Sequence, residues 1–122
     1  MSKRLVVNKN VIKAAAIDAT GIIKTDRYTD MMIWVTYDRV SGAGAGTMTV
    51  YGAMDEVGTV KYGIGIKPTL TGTRDTNAAI DYTTDLTALY EIPGVHPYIF
   101  IDWNNTGDVE SFTVDLFGVE DY

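Results

Sequence analysis

The stretch TMTVYGAMD (residues 47–55) returns 66 positions later as TVDLFGVED (residues 113–121), with apolar and polar positions in the same order. The earlier stretch MIWVTY (residues 32–37) likewise falls on YIFIDW (residues 98–103), and both pairs align without a gap. An internal repeat has to be recognised first, because it determines how the rest of the chain is interpreted. Alternating apolar and polar residues are typical of β-strands, so the repeat predicts one β-structural unit that is used twice.

In each copy the pattern predicts a β-hairpin, over residues 31–54 in the first copy and over residues 97–120 in the second. Elsewhere Gly, Asp, Asn and Thr interrupt the chain about every ten positions, which is typical of many short strands. No segment keeps the apolar spacing of an amphipathic helix. The sequence therefore predicts an all-β fold, an antiparallel β-sandwich that is jelly-roll-like and contains two pseudo-repeated hairpins. The expected strands lie near residues 4–7, 11–18, 21–25, 31–39, 47–54, 59–67, 78–82, 86–91, 97–103 and 111–119.

A chain of 122 residues is long enough for one hydrophobic core and too short for two. We therefore expect residues 1–122 to form a single sandwich domain, with residues 1–10 as a possible N-terminal arm. The apolar residues occur in short runs, which argues against a transmembrane helix, and no apolar segment near the start predicts a secretory signal. The chain has no cysteine, which excludes disulfides and a Cys nucleophile.

Alternation also assigns the residues of the repeat to two faces. The aliphatic face is expected to form the core, with Ile33, Val35, Val50, Ile99, Ile101, Val114 and Leu116. The other face is aromatic in both copies, with Trp34 and Tyr51 in the first and Phe100 and Phe117 in the second. A large outward-facing apolar surface usually needs a cover. The cover is a segment of the same subunit, an oligomer or partner interface, or a ligand, and the sequence leaves these alternatives open.

The charges are unevenly distributed along the chain. Residues 1–24 carry a net charge of +4, residues 25–74 are balanced, and residues 75–122 contain ten carboxylates and no Lys or Arg. The acidic C-terminal part argues against nucleic-acid binding, because it repels phosphate groups. Two interpretations remain for the basic N-terminal segment, a solvated surface or an arm that meets an acidic surface of a neighbouring copy or a partner.

No combination of residues predicts catalysis. The one histidine, His96, lies in a turn, and none of the three serines, at 2, 41 and 111, lies in a G-x-S-x-G motif. Residues 102–113 resemble a calcium loop but lack the closing glutamate. We therefore expect no enzymatic activity, no cofactor and no metal. A carbohydrate-binding platform remains an alternative, with stacking residues drawn from Trp34, Tyr37, Tyr62, Tyr98 and Trp103.

A resemblance to a known class of proteins adds to this interpretation. The segments 11–21, 28–35, 47–55, 93–101 and 112–119, in this order, resemble small β-sandwich structural proteins of tailed bacteriophages. Such proteins occur as capsid decoration (cement) proteins or as minor virion proteins. The resemblance covers about 100 residues and is a pattern of strands and turns rather than a signature motif.

The resemblance implies a non-enzymatic virion protein, most simply a capsid decoration protein that binds the outer head surface and stabilises subunit contacts. Its partner would be the major capsid protein or another virion protein, and it would be a homo-oligomer, with a trimer favoured, that assembles in the host cytoplasm and resides in the virion. A phage tail or fibre-attachment component and a carbohydrate-binding module are the alternatives. The expected interface residues are Lys3, Arg4, Lys9, Trp34, Tyr51, Phe100 and Phe117.

Overall fold

The computed structural model describes residues 4–15, 18–39, 46–68, 79–82, 86–105 and 110–121. These residues form ten β-strands and no helix, which confirms the all-β prediction. The strands are β1 (Arg4–Ala15), β2 (Ala19–Lys24), β3 (Tyr28–Arg39), β4 (Gly46–Ala53), β5 (Lys61–Gly63), β6 (Lys67–Pro68), β7 (Ala79–Tyr82), β8 (Leu86–Ile92), β9 (Tyr98–Asn105) and β10 (Glu110–Asp121).

Two antiparallel sheets pack face to face and confirm the predicted β-sandwich. Sheet A has the order β1-β10-β3-β8-β6, and sheet B has the order β2-β9-β4-β5. Strand β7 also belongs to sheet B, where it pairs with the first half of β4 while β5 pairs with the second half. The core therefore lies between two layers that each contain strands from both halves of the chain.

The pairings follow the 66-residue repeat. Strands β1 to β4 correspond in order to β7 to β10, and the pairings among these eight strands in one sheet have counterparts in the other. The pair β1·β10 corresponds to β7·β4, the pair β10·β3 to β4·β9, and the pair β3·β8 to β9·β2. The two sheets are thus related by a pseudo-two-fold exchange of the two chain halves, and their strand order is jelly-roll-like.

The two predicted hairpins are wrong in their pairing. Strand β3 lies in sheet A and β4 in sheet B, while β9 lies in sheet B and β10 in sheet A. Ile33 is paired with Leu116 and Tyr90, not with Met54 as a hairpin over 31–54 requires. Alternation fixes which way a side chain points but not which strand lies beside it. The six residues between β3 and β4 are enough to cross the roughly 10 Å that separates packed sheets.

The predicted core is confirmed, because side-chain direction does not depend on the pairing partner. All seven predicted core residues are fully buried. The core also contains large aromatic groups, with Trp103 stacked on Phe112 at 3.9 Å between ring centroids and Tyr37 at 5.5 Å from Trp103. Gly46 lies so close to the Trp103 ring that a larger residue would have no space there.

The prediction of a possible N-terminal arm over residues 1–10 is wrong from Arg4 onward. Residues 4–10 form the first part of β1, and they pair in continuous antiparallel register with residues 115–121 of β10. The basic segment and the acidic C-terminal segment are therefore neighbours within one sheet of the same subunit. The backbone pairing of residues 4–10 is thus made within the subunit.

Candidate interaction surface

The four aromatic residues predicted at an interface form two separate pairs. On the outer face of sheet A, the rings of Trp34 and Phe117 lie 6.3 Å apart with a 34° interplanar angle. On the outer face of sheet B, Tyr51 and Phe100 lie 6.0 Å apart in an edge-to-face arrangement. Trp34 and Tyr51, which the first predicted hairpin places on one face, therefore lie on different sheets, and so do Phe100 and Phe117 of the second. Each pair instead joins the two copies of the repeat.

The Tyr51–Phe100 pair is covered by its own subunit. The connection from β4 to β5, residues 54–60, brings the backbone of Gly58 against the Phe100 ring. The ammonium group of Lys61 lies 4.9 Å from the Phe100 ring centroid and 5.4 Å from that of Tyr51, within cation–π range. On this sheet the cover predicted as one alternative is thus a segment of the same chain.

Asp55 holds that connection in place. The backbone amide of Thr59 donates to the Asp55 carboxylate at 2.8 Å, and the amide of Gly58 donates to the Asp55 carbonyl at 3.3 Å. Desolvation tends to raise the pKa of Asp55, but hydrogen bonds from backbone amides, first that of Thr59, outweigh it and lower the pKa below the ordinary value of 3.8. The ionised carboxylate is therefore the form that fits the turn.

The Trp34–Phe117 pair is open. Trp34 is 46% exposed, whereas tryptophan side chains are highly buried on average. In the register of sheet A, Trp34 lies between Leu89 and Asp115, and Phe117 lies between Met32 and Asn8. Val119 is opposite Val6, which is 72% exposed. The apolar surface therefore runs across four strands, and we call it the Trp34 face (Val6, Met32, Trp34, Leu89, Phe117 and Val119).

Polar and acidic groups border the Trp34 face. The Asp115 carboxylate accepts a hydrogen bond of 2.9 Å from the Asn10 side chain. At one end of the face lies an open cleft of about 380 Å³, lined by residues that include Asp30, Met32 and Glu91. Asp30 has a positive φ of 51° at the bulge between β3 and β10. The face thus has an apolar centre with carboxylates at its edges.

Of the three basic residues predicted at the interface, Lys9 is the one whose side chain the structure describes. Lys9 is exposed and lies opposite Leu116 in the register, so it points to the other side of the strand from Asn8, the neighbour of Phe117. The backbone of Arg4 begins β1 opposite Asp121. Lys3 lies outside the described residues. The described structure therefore does not join Lys9 to the Trp34 face.

Sequence reasoning missed a contact made by His96. Its Nδ1 lies 2.7 Å from the Tyr62 hydroxyl, and its Nε2 lies 2.7 Å from the Pro93 carbonyl oxygen. The carbonyl can only accept, so Nε2 carries a hydrogen. The His96 carbonyl also accepts a hydrogen bond from the Thr25 hydroxyl at 2.8 Å. The histidine therefore fastens the β8–β9 turn to β5, and nothing in the spacing of the sequence signals this contact.

The five residues proposed as a sugar-stacking platform are not brought together. Tyr37 and Trp103 are fully buried in the core, and Tyr62 packs against His96 at the edge of sheet B. Within the part of the chain that the structure describes, no three His, Asp or Glu residues are grouped so that they could hold a metal ion. The same residues include no helix long and apolar enough to cross a membrane.

No family model and no curated protein matches the sequence. Among solved structures, the SPBc2 prophage-derived protein YomS is similar with a TM-score of 0.69 and 13% identity, over 97% of this chain and 96% of that chain. A structure of empty heads of turnip yellow mosaic virus aligns with a TM-score of 0.47 and 11% identity, over 100% and 82% of the two chains. The second score is too low to indicate a shared topology. The likeness to YomS extends over both chains and shows that this chain has the same fold as the prophage-derived protein.

Proposed function

We propose that this chain is a non-enzymatic structural protein of a phage virion and that it decorates the capsid by binding the outer surface of the head. The observation that carries the proposal is the shared fold with the prophage-derived protein YomS over nearly the whole length of both chains. The open Trp34 face supports it, because large exposed apolar patches on a small protein usually mark a surface that another molecule covers.

The difference between the two faces of the sandwich gives the proposal an orientation. Sheet B covers its aromatic pair with residues 54–61, whereas sheet A leaves Trp34 half-exposed. The protein would attach through sheet A to the major capsid protein or another virion protein and present sheet B to solvent. Burial of the apolar surface of Trp34 and Phe117 would provide most of the affinity.

A homo-oligomer, with a trimer favoured, belongs to the same proposal. Its contacts would stabilise the junctions between capsid subunits, and the oligomer would form through surfaces other than the Trp34 face, which attachment occupies. The basic residues Lys3, Arg4 and Lys9 would help to set the position of a neighbouring subunit. They would add little to the affinity, because exposed ion pairs contribute about 0–1 kcal/mol each.

The test is to purify particles from the phage or prophage that carries the gene and to separate heads from tails. We expect the chain in the head fraction, in many copies per particle, and we expect heads from a gene deletion to bind the purified protein again and to regain thermal stability. Its presence in tails would support a tail or fibre-attachment component instead. Its absence from particles, a clear hydrolytic activity, or nanomolar binding of a simple sugar would contradict the proposal.

A further inference from the structure

The Trp34 face carries negative charges around its apolar centre. Asp115 is the register partner of Trp34 on β10. Asp38 and Asp30 lie on β3 on either side of Trp34, and both are exposed. Among the outward positions whose side chains the structure describes, the central strands β3, β8 and β10 include no Lys or Arg. A molecule that covers Trp34 therefore meets carboxylates around it.

The cleft at the Asp30 end has the chemistry of a site for a basic side chain. Its walls combine polar groups, carboxylates among them, with apolar side chains, and they include Asp30, Met31, Met32, Glu91, Ile92 and Pro93. Lys and Arg place their apolar stems along such walls while the charged head stays near an acid or water. The volume of about 380 Å³ leaves ample space for one such side chain. Because Met32 belongs both to the cleft and to the Trp34 face, the two form one surface.

A second copy of this chain is a poor occupant for the same surface. In a two-fold contact the same patch faces itself, so the patch that contains Asp30, Asp38 and Asp115 would face the same acidic patch of the second copy. Like charges brought together at an interface disfavour the wrong partner. The charge pattern thus selects a partner of opposite charge over self-association.

We propose that the Trp34 face binds a protein segment in which apolar side chains alternate with lysine or arginine. The apolar side chains cover Trp34 and Phe117, one basic side chain enters the Asp30 cleft, and another approaches Asp115. The inference rests on the proposed function for the identity of the partner as a virion protein. The chemistry of the partner follows from the Trp34 face itself, so the two can be tested separately.

The test uses the full-length chain and three fluorescein-labelled peptides, Lys-Leu-Lys-Phe-Lys, Glu-Leu-Glu-Phe-Glu and Ser-Leu-Ser-Phe-Ser, in anisotropy titrations. The basic peptide should bind saturably and at least about tenfold more tightly than the acidic one, with an affinity that falls as salt is added. Asp30→Asn and Asp115→Asn should each weaken this binding, and Asn tolerates the positive φ at position 30. Trp34→Ser should weaken binding of the basic peptide at every salt concentration. Asp102→Asn, on the outer face of sheet B, is the matched control and should leave binding unchanged.

Several results would overturn the inference. These are equal binding of the acidic and basic peptides, no detectable binding of the basic peptide, or unchanged binding by both Asp30→Asn and Asp115→Asn. Sedimentation velocity gives another, because a wild-type oligomer that becomes monomeric in Trp34→Ser would identify a second copy as the occupant. Selective binding of the basic peptide by a chain that is absent from virions would support this inference and contradict the proposed function.

Discussion

Trp34 and Phe100 occupy equivalent positions of the repeat but have different surroundings. After β4 the chain continues into β5, and this connection lays Gly58 and Lys61 over Phe100. The equivalent place beside β10 is taken by β1, which contributes the short side chains of Asn8 and Val6 next to Phe117 and Val119. Trp34, the ring partner of Phe117, remains 46% exposed. The open face therefore arises from what each repeat strand has beside it, not from the aromatic residues themselves.

The core makes the most direct prediction at the scale of single residues. Ile101 and Leu116 are fully buried on opposite sheets, so truncating either to Ala should lower the free energy of unfolding by about 2–5 kcal/mol. Chemical denaturation measures the loss. Val57→Ala, at a position 69% exposed, is the control and should change stability by less than about 0.5 kcal/mol. Losses below about 1 kcal/mol at both positions would contradict the assignment of Ile101 and Leu116 to the core.

Gly58 makes a second prediction, because two constraints exclude a side chain there. Its φ is +74°, and an added Cβ would lie 2.7 Å from an atom of the Phe100 ring. Gly58→Ala should therefore destabilise the protein by more than about 1 kcal/mol. Gly63→Ala is the matched control, since a Cβ at Gly63 meets no atom within 4 Å. Equal unfolding midpoints for the two variants would show that residues 54–60 do not pack on Phe100.

The lowered pKa of Asp55 predicts a pH dependence. The ionised form is favoured in the folded state, so its stabilisation is fully present above the unfolded value of 3.8 and is lost as the pH falls through the lower folded pKa. Wild type should be more stable than Asp55→Asn near neutral pH, and the difference should shrink in acid. Denaturation at a series of pH values measures this. A constant difference between wild type and Asp55→Asn across the pH series would contradict the role of the carboxylate.

At the scale of elements, β1 is a strand of the sandwich and not a detachable arm. Residues 4–10 pair with β10 along seven consecutive positions, so deleting residues 2–9 removes part of a sheet edge. The unfolding temperature should fall by more than about 5 °C, and the fall should be similar at low and high salt because backbone pairing is not screened. Deletion of residues 2–3, which leaves β1 intact, is the control. An unchanged unfolding temperature in the deletion of residues 2–9 would instead support the prediction that this segment is an arm.

The repeat shows which features of this fold can be predicted from the sequence and which cannot. Alternation identified the buried members of β3, β4, β9 and β10, because each side chain points to one face or the other regardless of its neighbours. It did not identify the neighbours, since Ile33 satisfies its pattern equally well beside Met54 or Leu116. Likewise, Trp34 and Phe100 carry the same pattern, and the sequence does not show that residues 54–61 cover one and leave the other open. Pairing and cover depend on contacts between distant segments.

At the scale of the whole molecule, the two aromatic pairs should have opposite roles. Phe100 stabilises the fold because residues 54–61 pack on it, whereas Trp34 is exposed and in the proposed function is covered by a partner. Phe100→Ser should therefore lower the unfolding temperature while folded protein still binds heads from a gene deletion. Trp34→Ser should leave the unfolding temperature nearly unchanged and should weaken head binding at every salt concentration, because the lost contact is apolar and is not screened. Calorimetry and sedimentation with purified heads measure the two effects. If Phe100→Ser loses head binding and Trp34→Ser keeps it, attachment uses sheet B and the orientation is reversed.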